Sequence, residues 1–314
     1  NWSESDIKEM YATEGAHFQT VIDADKVTFP LEYKHVLFNA ERESITAWEE
    51  GKNLVLNPEL SLGTDLIIVN NTQPQFNQPR FKGAGTAIPI FSLRSKKSFG
   101  CGEFLDLKLL GDWCAKNGQR IIQTLPINDT SVFGTWKDSY PYSAISVYAL
   151  HPLYINLEAM GLSEKGKEYK EQKEALNQLD FIDYEEVIKL KWRYIQQLYK
   201  KQKEELFNSD EYKTFYEENK EWLKPYAVFC FLRDKYHTSD YNLWEEDRVY
   251  NSKRIDQYCQ PKHKNYEDIA IHFFTQYHLD KQLSDSVKYL HEKGIAIKGD
   301  IPIGVNKNSV DVWV

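Results

Sequence analysis

Lys298-Gly299-Asp300-Ile301-Pro302-Ile303-Gly304 closes the pattern that decides the fold. Ahead of it, from about Tyr266 to Lys293, Ile269, Phe273, Leu279, Leu283, Val287 and Leu290 keep to one helical face, and Gly294 ends the helix. Ile295-Ala296-Ile297 then reads as a short buried parallel strand, apolar and rich in β-branched residues, so that Asp300 falls at its carboxyl end. In α/β folds that end is where ligands and chemistry gather.

The same order of signals appears upstream, in Asn117-Gly118-Gln119-Arg120-Ile121-Ile122-Gln123-Thr124-Leu125-Pro126-Ile127. Gly118 to Pro126 has the eight-residue offset of Gly294 to Pro302, which puts Ile121 and Ile127 in register with Ile297 and Ile303. This is either a repeated helix-to-strand unit or the punctuation common after helices. Further out, Thr86 to Arg94 reads as a first buried strand. Glu103 to Asn117 reads as a helix with Leu105, Leu109, Leu110, Trp113 and Cys114 on one side. With Arg120 to Leu125 as the next strand, these segments make one βαβ unit.

A chain of 314 residues, 41% hydrophobic and 14% aromatic, is long enough to build two cores. Its 47 acidic and 39 basic residues give a net charge of -8, which argues against nucleic acid or an acidic membrane as partner and favours a neutral substrate. Cys101, Cys114, Cys230 and Cys259 form no C-x-x-C pair and have no His at metal spacing, so reduced thiols and no metal site are expected. No apolar run approaches the roughly 20 residues of a membrane helix. Asn1-Trp2-Ser3-Glu4-Ser5-Asp6 has neither a basic start nor an apolar stretch, so a cytoplasmic chain is expected. Lacking an initiator Met, it reads as an excised segment.

Residues 1 to about 70 carry short runs of strand type: Phe18 to Ile22, Leu31 to Phe38, Ser44 to Trp48 and Asp65 to Val69. They read as part of a β-sandwich, since a complete one needs about 100 residues. Asn70 to Pro79 is polar, holds two prolines and lacks periodicity, so it reads as a linker. From Gly161 to about Asn219 the composition turns to Lys, Glu, Gln and Tyr. There Ile188, Trp192, Ile195 and Tyr199 mark one long amphipathic helix, and Tyr212, Phe215 and Tyr216 start another.

Two resemblances extend these readings. Glu32-Tyr33-Lys34 followed by Trp48-Glu49-Glu50-Gly51-Lys52-Asn53 resembles the closing half of the family 20 starch-binding modules. It implies a glucan site made of Lys34, Trp48 and Asn53, where an indole covers the apolar face of a pyranose while Lys and Asn bond its hydroxyls. Without that resemblance Trp48 reads as core.

Phe91-Ser92-Leu93-Arg94-Ser95, Ser98-Phe99-Gly100-Cys101-Gly102-Glu103-Phe104, Gln123-Thr124-Leu125-Pro126-Ile127-Asn128-Asp129 and Asp138-Ser139-Tyr140-Pro141-Tyr142-Ser143-Ala144 resemble the opening of the family 77 4-α-glucanotransferases. These are the amylomaltases, or disproportionating enzymes, of the α-amylase clan. The Ser-Tyr-Pro-Tyr run behind a starch-binding module is similar to the plant cytosolic subgroup. The resemblance implies a multidomain chain: 1–70 the C-terminal part of a starch-binding β-sandwich, 71–85 a linker, and 86–314 the first part of an α/β TIM (β/α)8 barrel. A helical insertion at about 161–235 would form one wall of the cleft. It further implies transfer of α-1,4-glucan segments between maltodextrins, with a maltodextrin or starch-like α-glucan as partner and no metal or organic cofactor. Tyr142, Ser143 and Asp300 match residues that line the cleft about the donor sugar, although Asp300 alone would read as a strand-end or capping carboxylate. Asn308 stands where the family has Asp, in Asn308-Ser309-Val310-Asp311-Val312-Trp313.

Retaining chemistry at an α-1,4 bond needs two carboxylates about 5–5.5 Å apart. In the family the nucleophile belongs to an Arg-Ile-Asp motif after the fourth strand, the acid/base Glu follows the fifth, and a third Asp follows the seventh. Arg254-Ile255-Asp256 has the letters but precedes the third strand in a polar stretch, so it is set aside. The catalytic acids are then expected beyond Val314, and the chain by itself is expected to be inactive. The rival readings are an α-amylase-clan hydrolase and a non-catalytic glucan-binding or scaffolding protein.

Overall fold

Short antiparallel ladders built from β-branched and aromatic residues occupy the beginning of the chain. The computed structural model describes residues 7–13, 17–41, 43–57, 73–77 and 82–314, and the chain divides into two units, Asn1–Lys82 and Gly83–Val314. In the first, β1 (Tyr11–Thr13) pairs with β2 (His17–Gln19). Then come β3 (Leu31–Tyr33), β4 (Val36–Asn39), β5 (Ser44–Trp48) and β6 (Leu54–Leu56), with β3 paired to β6 and β4 to β5. None of the described residues here is buried.

The expected single strand from Leu31 to Phe38 is two strands, because the chain changes partner at Lys34-His35. The His35 amide is taken by the Glu49 carboxylate at 3.2 Å instead of by a ladder. The expected strand from Phe18 stops at Gln19, and Asp23 accepts the Asp25 amide at the start of a 3-10 turn. Part of the stretch expected as linker pairs within this unit: Phe76 forms an antiparallel bridge with Glu49, and the Gln75 carbonyl accepts the Glu50 amide at 2.7 Å. Asp65 to Val69 lies outside the described residues.

The second unit is built on β7 (Gly85–Ala87), α1 (Asp106–Lys116) and β8 (Ile121–Gln123). Three long helices and a shorter one follow: α2 (Lys167–Gln178), α3 (Tyr184–Asn208), α4 (Asp210–Tyr236) and α5 (Ser252–Tyr258). The last elements are α6 (Tyr266–Glu292), β9 (Ala296–Lys298) and α7 (Val310–Trp313). The three strands form one parallel sheet with β8 in the middle, Ile122 lying between Thr86 and Ile297. The crossovers through α1 and α6 place the exits of all three strands at one end.

The two helix-to-strand junctions are built alike. Gly118 and Gly294 have φ of 69° and 68°, where glycine carries no Cβ penalty. At each, the glycine amide bonds the carbonyl three residues back (Gly118 to Ala115, Gly294 to His291). The next amide bonds five back (Gln119 to Cys114, Ile295 to Leu290). This is the Schellman closure of a helix. The pairing register is shifted by one from the sequence repeat: Ile121 faces Ala296, and Ile122 faces Ile297.

Other differences have local causes. The strand expected from Thr86 to Arg94 ends at Ala87, since Pro89 cannot donate to a ladder and opens a 3-10 turn at Ile90–Ser92. On α1 the buried stripe is Leu107, Gly111 and Cys114, whereas Leu109 and Trp113, expected on the inner face, are about half exposed. Gly111 sets that rotation, because a Cβ there would come within 2.1 Å of Leu290 on α6. Ile295, just before β9, is buried, but Ala296 and Lys298 on it are exposed, as befits a strand paired on one side among the described residues.

The helices of the expected insertion share a single apolar core with the sheet. Val187, Ile195 and Tyr199 of α3 and Tyr226 and Phe229 of α4 belong to the same cluster as Ile122 of β8 and Phe273 of α6. Asp183 and Ser209 cap α3 and α4 by accepting the amides of Glu186 and Tyr212. No helix among the described residues is long and apolar enough to cross a membrane.

Candidate functional site

Two loops leave the sheet at the same end and are stitched together: residues 124–150 after β8 and 299–309 after β9. Tyr142, on the first, donates its hydroxyl to Asp300 Oδ2, on the second, at 2.8 Å. Asp300 Oδ1 accepts the Ile301 amide at 3.0 Å, which fixes the carboxylate plane. The accepting carboxylate raises the Tyr142 pKa above the ordinary tyrosine value. Ser143 Oγ accepts from Asn306 Nδ2 at 3.0 Å, and Asn306 Oδ1 accepts the Asn308 amide at 3.0 Å. Beyond these, the Val310 amide bonds the Ile145 carbonyl at 2.9 Å, and Asp311 accepts the Val147 amide at 3.0 Å. Burial raises the Asp311 pKa, the Val147 amide opposing it. Tyr142, Ser143 and Asp300 are therefore neighbours and half-buried. The arrangement offers a carboxylate, a phenol and a hydroxyl to a polyhydroxylated ligand.

The first of these loops stands on buried acids. Asp138 accepts the amides of Phe133 and Gly134 at 2.9 and 2.7 Å, closing the turn in front of Tyr140. Asp129 accepts from the Tyr226 hydroxyl at 2.7 Å and from Ser131 Oγ at 2.6 Å, tying the loop to α4. Burial pushes the Asp129 pKa up, but His151, Arg233 and the bonds from Ser131 and Tyr226 outweigh it and hold the group below its usual range. The loop after β7 is anchored by an ion pair with almost no solvent contact. Lys191 of α3 reaches Glu103 Oε1 at 2.6 Å and also donates to the Leu153 and Ile155 carbonyls at 2.6 and 2.8 Å. Glu103 Oε2 accepts from Asn156 at 2.7 Å. Arg94 donates to the Asn177 and Leu179 carbonyls at 2.8 and 2.6 Å, fastening the end of α2.

Sequence reasoning missed Lys191, whose surroundings on α3 read as a solvated charged face. It also missed Asp129 and Asp138 as supports. Phe133, Trp136, Tyr140 and Tyr148, all at least 60% exposed on the same loop, were not singled out either. A run of aromatics between prolines and glycines was the available signal. Arg254-Ile255-Asp256 lies on α5, away from any strand end. Arg254 Nη2 pairs with Glu246 at 3.0 Å and Asp247 at 2.8 Å, and Asp256 pairs with Lys224 at 2.8 Å.

In the first unit, Trp48 ends β5 opposite Val36 and is 42% exposed. Lys34 Nζ donates to the Gly51 carbonyl at 2.8 Å, and Asn53 Nδ2 to Glu32 Oε2 at 3.1 Å. These bonds hold the turn from Glu49 to Asn53 against β3. All four cysteines are free and buried. Among the described residues, no three His, Cys, Asp or Glu side chains converge as a metal site.

A parallel sheet with a polar cluster across the exits of adjacent strands is where α/β folds gather their ligands, and comparison narrows the class. The second unit has the fold of the amylomaltases. The structure matches that from Streptococcus agalactiae, solved with acarbose, at a TM-score of 0.58 and 24% identity, covering 74% of this chain and 46% of that one. It matches the Corynebacterium glutamicum amylomaltase at a TM-score of 0.56 and 19% identity. Residues 88–314 match the 4-alpha-glucanotransferase family of glycoside hydrolases 77, and the chain belongs to that family. It is 41% identical over 291 residues to the 4-alpha-glucanotransferase DPE2 of Oryza sativa subsp. japonica, covering 92% of this chain and 30% of that relative. It is 35% identical over 233 residues to the 4-alpha-glucanotransferase of Chlamydia muridarum, covering 73% of this chain and 42% of the relative. The chain thus spans less than half the length of these relatives.

Proposed function

We propose that this chain is the donor-sugar side of a 4-α-glucanotransferase, which moves α-1,4-glucan segments between maltodextrins through a covalent glucosyl-enzyme intermediate. Tyr142, Ser143 and Asp300 bond the sugar hydroxyls, and the nucleophile and the acid/base come from sequence beyond Val314. The observation that carries this reading is the 2.8 Å bond between Tyr142 and Asp300, which joins the exits of two adjacent strands within the stretch that matches the family. A pyranose set against this pair presents vicinal hydroxyls to a carboxylate whose orientation is already fixed, so little ordering remains for binding to supply. A non-catalytic scaffold is the weaker reading, because matched relatives are named as transferases.

The first unit supports a weak starch-binding role for Lys34, Trp48 and Asn53. Identity to the rice relative extends over 92% of the chain and so reaches into this unit. Calorimetric titration of maltoheptaose tests the cleft. Asp300→Ala is expected to weaken binding roughly tenfold, about the worth of one hydrogen bond to a charged group, with a smaller loss for Tyr142→Phe. Affinity unchanged in both variants would remove these residues from the sugar site.

A further inference from the structure

A polar cavity of about 530 Å³ opens where the last turns of α4, the chain after it, α5 and the approach to α6 meet. None of Tyr142, Ser143 or Asp300 lines it. In a chain of net charge -8 its lining keeps a small positive excess: Lys235, whose ammonium also bonds the Tyr236 hydroxyl at 2.9 Å, Arg254 and Lys264, with His263 beside them, against Glu246 in the lining and the buried Asp247 paired to Arg254. Arg254 is set in advance, since its Nη2 is held by Glu246 at 3.0 Å and by the buried Asp247 at 2.8 Å. Asp247 in turn accepts the Tyr258 hydroxyl at 3.0 Å. Arg254 belongs to the Arg-Ile-Asp stretch that the glucan chemistry leaves unused.

The rest of the lining selects among anions. Phe231 and Tyr258 form the floor but are only 8% and 9% exposed, so neither offers an open face on which a nucleobase could stack. Gln257 and Asn265 each present an amide with both donor and acceptor, and Glu246 adds acceptors, a set that suits neighbouring hydroxyls. We propose that this cavity binds a phosphorylated monosaccharide, with its phosphate at Lys235, Arg254 and Lys264 and its hydroxyls at Gln257, Asn265 and Glu246. The inference stands independently of the glucan reading, since no residue is shared with the cleft.

The test is calorimetric titration of the 314-residue chain with glucose 1-phosphate, glucose and inorganic phosphate at low and high salt. Saturable binding of glucose 1-phosphate is expected, weakened by salt because the site is open to solvent, with weaker binding of phosphate and none of glucose. Lys235→Gln and Lys264→Gln, both at exposed positions, should each weaken it roughly tenfold, the loss of one charge-assisted hydrogen bond. Lys170→Gln on α2 and Asp300→Ala should leave it unchanged. Absence of saturable binding, equal binding of inorganic phosphate, or dependence on Asp300 and not on the two lysines would overturn the proposal.

Discussion

A lysine with no solvent exposure demands an account atom by atom. Lys191 has one: a carboxylate and two carbonyls receive its ammonium protons, so the charge is compensated where water cannot reach. Lys191→Met leaves Glu103 buried and unpaired, and breaking such a pair from one side costs about 3–5 kcal/mol. At about 2–4 °C per kcal/mol for a unit of this size, the melting temperature should fall by roughly 6–20 °C. Glu103→Gln in the same background should recover part of the loss. An unchanged melting temperature in Lys191→Met would show the pair to be idle. Trp48 is the opposite case, a large apolar surface kept partly in water, which is worth keeping there when a ligand covers it. Maltoheptaose should perturb tryptophan fluorescence in the parent chain and produce a clearly smaller change in Trp48→Ala. Equal binding by both would move the sugar contact elsewhere. That Asp300 and Tyr142 meet at one end of the sheet was legible because a strand-end carboxylate and a matched loop motif are local features. Lys191 was not, because its partners lie 88, 38 and 36 residues away, and a lysine amid Lys and Glu looks solvated.

Among the elements, α6 bears the most on pH. It buries His272 and half-buries His278, and desolvation lowers both from 6.5 to about 4. His272 packs edge-on to Trp192 at 5.4 Å and lies within the fields of Asp234, Arg233 and Asp129. His278 sits against Phe274 at 4.6 Å, feels Lys281, and its Nε2 finds no partner. Between about pH 6.5 and pH 4 the unfolded chain binds protons that the folded one refuses. Stability is therefore fully present above the unfolded value and declines as pH falls through that window, by about 1.4 kcal/mol per pH unit for each histidine. Urea midpoints should drop between pH 7 and pH 5, and His278→Gln should flatten the slope. A midpoint insensitive to pH in both proteins would exclude buried neutral histidines. The existence of α1, α3, α4 and α6 was readable from periodicity and from Gly118 and Gly294. Which face of α1 turns inward was not. Gly111 contributes nothing to a hydrophobic stripe, yet it decides the approach of Leu290.

On the scale of the whole molecule, three parallel strands put the Tyr142, Ser143 and Asp300 cluster at one end of a sheet while β9 keeps an open side among the described residues. Ile301, Ile303 and Val305, which follow it, are 75%, 98% and 56% exposed. The division between binding and bond-breaking groups is the central claim. Asp300 can orient a sugar, but cleavage also needs a second carboxylate placed to protonate the leaving oxygen. The direct measurement is incubation of the purified 314-residue chain with maltotriose, with products resolved by chromatography. The expected result is maltodextrin binding without glucose or longer glucans above the blank. Glucose and maltopentaose, or maltose and maltotetraose, accumulating in step would place both catalytic acids within residues 83–314 and contradict the assignment of this chain to the sugar-binding half alone.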